Sequence, residues 1–123
     1  MESGYSALTV EAVRLALGAT ALRQRVIAHN IANVDSPDHT RMKVVFEDQL
    51  AQALGAARQA DVRDAALLVG IQAEMEPDVS KGKVQLDEEV AQMSANTVRY
   101  QALSRGISRY LSIASLIASA NKG

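Results

Sequence analysis

The chain has 123 residues, of which 48% are hydrophobic, 22% charged and only 3% aromatic, with a formal net charge of -1 and no cysteine. There is no basic surplus to neutralise phosphates, which argues against a nucleic-acid partner. The missing cysteines exclude disulfides, thiol catalysis and Cys-based zinc or iron–sulfur sites. The length suits one domain or one elongated unit. Its apolar surface comes from Ala, Val, Leu and Ile, which suit thin helix–helix seams better than a thick core, so an extended shape or a shared interface is expected.

From about Ala7 to Asn33 the apolar spacing is helical. Val10, Val13, Leu17, Thr20, Gln24, Ile27, Ile31 and Val34 advance by alternating steps of three and four, a heptad seam with two polar interruptions at Thr20 and Gln24. Gly18 costs roughly 1 kcal/mol inside a helix, which points to a close approach by a neighbour or to marginal helix stability. The helix is expected to stop near Asn33, because Asn tolerates the left-handed conformation found after helix ends. Pro37 then biases Ser36 away from the helical region. Asn30 and Asn33 are expected to bond backbone groups and fix the exit of the chain from the helix; the plainer reading is a generic Asn-rich helix end.

The middle is less regular. Val44-Val45-Phe46 reads as a short extended piece anchored by the single Phe. Glu47 to Gln59 is Ala-rich and moderately helical, with Gly55 as an interruption. Ala65 to Ile71 is an apolar run compatible with strand or helix. Glu76-Pro77-Asp78 and Ser80-Lys81-Gly82-Lys83 read as turn or loop.

A second helical pattern runs from about Asp87 to Ala120. Leu86, Val90, Met93, Thr97, Tyr100, Ser104, Ile107, Leu111, Ala114 and Ala118 repeat the three–four steps. Asp87, Glu88 and Glu89 crowd the first turn, where the helix dipole favours acids. Leu103, Tyr110, Ile113, Leu116 and Ile117 widen the apolar surface beyond a two-stranded seam, so this helix can meet more than one neighbour. No apolar run reaches the ~18 residues that span a bilayer, and Met1 to Val10 lacks the features of a secretion signal.

The fold class that follows is mainly α: two long terminal helices of roughly 40–50 Å each, paired as an antiparallel coiled-coil hairpin, with a short irregular or partly extended middle segment. Residues 1–37 form the N-terminal helix and its turn, 38–85 the middle, and 86–123 the C-terminal helix. The expected seam or interface positions are Val10, Val13, Leu17, Ile27, Val90, Met93, Tyr100, Ile107 and Leu111.

Asn30-Ile31-Ala32-Asn33 followed by Ser36-Pro37 resembles the N-terminal signature of the bacterial flagellar axial proteins. Gly82-Lys83-Val84-Gln85-Leu86-Asp87-Glu88-Glu89, then Asn96, Arg99-Tyr100-Gln101 and Leu103, resembles the closing helix of the basal-body rod family, nearest its proximal members. The short middle also suits a proximal rod subunit, the sister rod protein FlgC being the nearest competitor. Asp38 and His39 stand where the family has Gly and an aromatic residue.

The resemblance implies a structural subunit of the periplasmic rod that polymerises helically into a torque-transmitting shaft. It implies export by the flagellar type III apparatus without a cleaved signal peptide. The implied partners are further copies of itself, FlgC, FlgF and FlgG, the adaptor FliE and the membrane ring FliF. The signature residues Asn30, Ile31, Ala32, Asn33, Ser36 and Pro37 become the assembly and turn motif.

Other readings are weaker. His29 and His39 with Asp35 and Asp38 lie across a helix end and a turn, a poor scaffold for convergent metal ligands. Ser36, His39 and Asp35 sit too close together on one turn to line up as nucleophile, base and orienter. No catalytic residue, cofactor, metal or small-molecule substrate is expected. Tyr100, Tyr110 and Met93 read as packing residues. Arg99, Arg105 and Arg109 read as a solvated face, with intersubunit ion pairs as the sharper alternative. A cytosolic coiled-coil adaptor or dimerisation module is the main alternative function, and a small hydrolase or metal protein a third.

Overall fold

The structure, a computed structural model, describes residues 2–59, 68, 70–80 and 82–122. Five elements follow in order: α1 (Glu2–Ala32), β1 (Met42–Val45), α2 (Glu47–Gln59), β2 (Glu74–Pro77) and α3 (Leu86–Lys122). The two terminal helices pack antiparallel. Thr20 and Gln24 of α1 meet Asn96 of α3, and Asn30, further along α1, meets Glu89, earlier on α3. The mainly helical hairpin expected from the periodicity is therefore present, with a short middle laid beside one end. No helix among the described residues is long and apolar enough to cross a membrane.

The ends of the elements have local causes. α1 gives way to turns at residues 33–35, where Asn33 and Val34 bond back to His29, Asn30 and Ile31 as the last turn tightens. α2 covers Glu47–Gln59, the span its composition suggests, with Glu47 and Asp48 in the first turn and Arg58 in the last, both favourable to the helix dipole. Val44 and Val45 lie in β1, which starts two residues earlier than the Val44–Phe46 piece; Phe46 follows it and is buried.

Three expectations change. Glu76-Pro77 is not a turn: it ends β2, which pairs antiparallel with β1 in the register Met42↔Pro77 to Val45↔Glu74. Asp78 donates its backbone N–H to Arg41 O at 2.8 Å. Antiparallel ladders alternate inward and outward backbone groups, so the neighbouring Pro77 nitrogen faces away from β1 and its missing N–H forfeits no ladder bond. Gly18 has no close neighbour: a Cβ built there meets nothing within 4 Å. Most of Ala65 to Ile71 lies outside the described residues; within it, Leu68 is buried.

The third change is rotational. On α1, Val10, Val13, Leu17 and Ile31 are half-buried and Thr20 and Ile27 buried. On α3 the inward line runs through buried Glu89 and Asn96 and half-buried Met93, Leu103, Ser104, Ile107 and Tyr110. Val90, Tyr100 and Leu111 stand beside it, 49%, 44% and 50% exposed. A helix with several apolar faces does not specify its rotation by period alone. Burying Glu89 against a cation and Asn96 against α1 sets the rotation here.

Candidate functional site

The centre of the site is Asn30, fully buried near the end of α1. Its side-chain nitrogen donates to Met42 O at 2.9 Å, and its Oδ1 accepts from Met42 N–H at 2.9 Å. A carboxamide carries the same donor and acceptor as a peptide unit. Asn30 therefore pairs with the outer edge of β1 as a third strand would. One step along the same edge, Arg23 of α1 donates to Val44 O at 3.3 Å and to Glu47 Oε2 at 2.6 Å. The edge that would otherwise present open backbone groups is thus closed by two side chains of a helix. Burial is the largest single influence on Glu47 and opposes its charge, but the Arg23 bond and charge, the Glu47 backbone N–H and the Arg99 charge together hold the carboxyl below its ordinary value.

Arg41, just before β1, is the second centre. Its Nη1 donates to Asp78 Oδ2 at 2.6 Å, its Nη2 to Gln92 Oε1 at 3.1 Å, and its Nε to Glu89 Oε1. All three ionised groups are buried, with side chains 7%, 6% and 0% exposed for Arg41, Asp78 and Glu89. The backbone joins in: Arg41 N–H donates to Gly82 O at 2.8 Å, and Gly82 N–H to Asp78 O at 3.1 Å. Gly82 sits at φ +69, a left-handed conformation that favours glycine. Asp78 Oδ1 accepts from Ser80 Oγ at 2.6 Å and from Ser80 N–H at 3.2 Å. These bonds, led by the Ser80 hydroxyl and aided by the Arg41 and Lys43 charges, hold the Asp78 carboxyl below its ordinary value against the opposing effect of burial.

Glu89 joins the two centres, because its Oε2 also accepts from Asn30 at 3.4 Å. Three segments distant in sequence, the end of α1, the β1–β2 ribbon and the start of α3, are tied at one point. Replacing such a group with apolar residues is often neutral for stability, but removing one partner leaves a buried charge or polar group unmatched. The chemistry on offer is therefore rigid positioning of the hairpin base.

The signature residues surround this node. Asn33 donates from its side chain to His29 O at 2.9 Å, and its backbone and side-chain oxygens accept from Ser36 N–H at 3.0 Å and Ser36 Oγ at 3.4 Å. Ile31 is half-buried, while Ala32, Ser36 and Pro37 are exposed. His39 lies 3.3 Å from Asn30 Oδ1 through Nε2 and meets the His29 ring edge-on at 5.1 Å. Ser36 and His39 thus turn to different partners. Among the described residues no group of three or more His, Asp or Glu side chains could hold a metal ion.

Sequence reasoning missed Arg41 and Asp78, and it read Glu89 as one more acid of a helical first turn. Asp87 fits that reading, since its side-chain oxygen accepts from the first-turn N–H of Glu88 at 2.9 Å. Glu89 instead faces inward. The only local signal was a lone Arg beside an extended apolar run, and nothing in a single sequence names its partners.

Midway along the hairpin a second polar layer absorbs the two interruptions of the α1 seam. Asn96 donates to Thr20 O and to Gln24 Oε1, each at 2.8 Å, and Gln24 donates to Thr97 Oγ1 at 3.3 Å. Thr20 and Thr97 return their hydroxyls to the carbonyls of Leu17 and Met93 at 2.8 and 2.9 Å. Among the described residues, only Asn96 Oδ1 is a buried side-chain polar atom without a partner.

No protein-family model matches the chain. Among characterised proteins it is similar to the flagellar basal body rod protein FlgB of Bacillus subtilis, 31% identical over 104 residues that cover 77% of this chain and 81% of that relative. Shorter matches join it to FlgB of Borrelia hermsii, 47% identical over 47 residues covering 38% of this chain and 35% of that protein. FlgB of Borreliella burgdorferi is 49% identical over 37 residues, 30% of this chain and 27% of that protein. Similarity across most of both chains in the first of these places the chain in the FlgB family of flagellar basal body rod proteins.

Proposed function

We propose that this chain is a non-enzymatic structural subunit of the proximal flagellar rod, which polymerises helically and transmits torque through packed helices. The observation that carries this reading is the unequal burial of the hairpin in a chain of the FlgB family. The base is tied by Asn30, Arg41, Asp78 and Glu89, whereas residues 111–121 are all exposed. Leu111, Ile113, Leu116 and Ile117 are among them. An apolar helix end left wet in the monomer gains most of its stabilisation only when neighbours cover it, which couples ordering to assembly. Neighbours that repeat a heterologous contact without closing it make a filament.

The partners that suit this reading are further copies of the chain, FlgC, FlgF, FlgG, FliE and FliF, met in the periplasmic basal body after type III export without a cleaved signal. Electron microscopy of basal bodies from a strain lacking the gene tests it: the inner ring should remain and the rod should be missing. Ile31→Asp and Ile107→Asp, at half-buried seam positions, should complement export but restore neither rod nor swimming. Normal swimming with both variants would contradict the reading.

A further inference from the structure

Charge is distributed unevenly along this chain. From Val90 to Gly123 there is no Asp or Glu, whereas Arg99, Arg105, Arg109 and Lys122 are all cationic. Arg105 and Arg109 are exposed and one turn apart on α3, and neither joins an ion pair among the described residues. On α1, Glu11 is already engaged by Arg14. Like charges at i and i+4 repel each other, so this surface favours an anionic counterpart.

Directly beyond Arg109 lies the apolar end of the same helix. Residues 111–121 are helical, exposed throughout and uncharged, and Lys122 closes the stretch. Polar and apolar residues are sorted by face. Ser108, Ser112, Ser115 and Ser119 recur at steps of four, three and four, which keeps them on one side. Arg105, Arg109, Ile113 and Ile117 form a separate i, i+4 row, with the two cations leading into the two isoleucines. At 1.5 Å per residue the uncharged stretch is about 16 Å long, too short to cross a bilayer. An amphipathic helix bounded by cations lies in the plane of the membrane interface instead. Its apolar face enters the acyl boundary while its cations stay at the headgroup phosphates.

We infer that the 105–121 end of α3 docks the free chain on the surface of a bilayer that carries anionic lipids. Charge complementarity selects this occupant, because the tip of a second copy would bring the same cations. The inference goes beyond the rod-subunit reading and does not depend on it. Lipid covers the tip of an unassembled chain, and any neighbour that covers the tip in an assembly displaces the lipid.

Flotation of the full-length chain with vesicles is the test. The chain should float with vesicles of mixed phosphatidylglycerol and phosphatidylcholine, stay behind with phosphatidylcholine alone, and be released by raised salt. Each cation near an anionic surface strengthens binding about fivefold, so joint Arg105→Gln and Arg109→Gln should weaken it roughly 25-fold. Joint Ile113→Ser and Ile117→Ser, at positions 51% and 57% exposed, should abolish binding while leaving helical circular dichroism unchanged. Arg14→Gln, on α1 and already paired with Glu11, should leave binding unchanged. No flotation with either vesicle, equal binding to both, or indifference to either double substitution would overturn the inference. An oligomer that stays free of vesicles would overturn it too, and would assign the tip to protein contacts.

Discussion

Glu89→Gln is the most direct test of the hairpin base. The substitution keeps the shape of the side chain and removes its charge at a position that is 0% exposed. Arg41 then retains Asp78 and Gln92 as acceptors but loses its second counter-charge. Breaking a buried ion pair from one side costs about 3–5 kcal/mol. Because Asp78 still partners the guanidinium, the low end applies, about 3 kcal/mol. Stabilities of whole domains are only about 5–15 kcal/mol, so one atom exchange should remove a large share. With a urea slope of about 2 kcal/mol per molar, the unfolding midpoint should fall by about 1.5 M. Circular dichroism at 222 nm reads it, with Glu11→Gln as the control. The Glu11–Arg14 pair is on the surface, with Arg14 68% exposed, and its loss should shift the midpoint immeasurably. A Glu89→Gln midpoint within about 0.25 M of the parent would refute the argument, because it would mean water already screens the node.

Three further outcomes follow from the same geometry. Asn30→Asp keeps the acceptor for Met42 N–H but brings a carboxylate to the Glu89 oxygen now 3.4 Å from the amide nitrogen. Like charges raise the carboxyl pKa in the folded state, so the urea midpoint of this variant should rise as pH falls from 7 to 5, and a flat profile would contradict the contact. Asp78 has a lowered pKa in the fold, led by the Ser80 hydroxyl bond. Its share of stability is complete above the ordinary carboxylate value of about 3.9 and fades as pH falls through the lower native value. The midpoint gap between parent and Asp78→Asn should therefore narrow below about pH 4; a constant gap would rule this out. Gly18→Ala and Gly106→Ala place a methyl where nothing lies within 4 Å, and each should stabilise the isolated chain by up to about 1 kcal/mol. Thermal melting is the readout, and a lower midpoint for either would expose a contact the packing does not contain.

The node also explains why the middle segment can be short. A two-stranded ribbon is marginal alone. Here α1 supplies the missing edge partners through Asn30 and Arg23, and α3 supplies Glu89. Lys43 and Glu76, paired across the two strands at 3.7 Å with side chains 40% and 49% exposed, add little. The outer edge of β2 needs less cover, because Pro77 removes one of its free N–H groups. His39 turns its ring onto Asn30 and meets the His29 ring edge-on.

What the sequence determined by itself is what neighbouring residues decide together. The helical spans, the stop after Ala32, the turn at Asn33 to Pro37 and the α2 segment from Glu47 all follow from periodicity, capping and turn chemistry within a few positions. The Asn-Ile-Ala-Asn signature was equally visible, since its spacing is contiguous. The tertiary structure alone decided the rotation of α3, the strand conformation of Glu76-Pro77 and the partners of Arg41. Those partners stand 37 and 48 positions away, and Asn30 and Glu89 are 59 apart. No local propensity acts across such distances. An amphipathic pattern with more than one apolar face leaves the final choice to whichever packing satisfies the buried charges and amides.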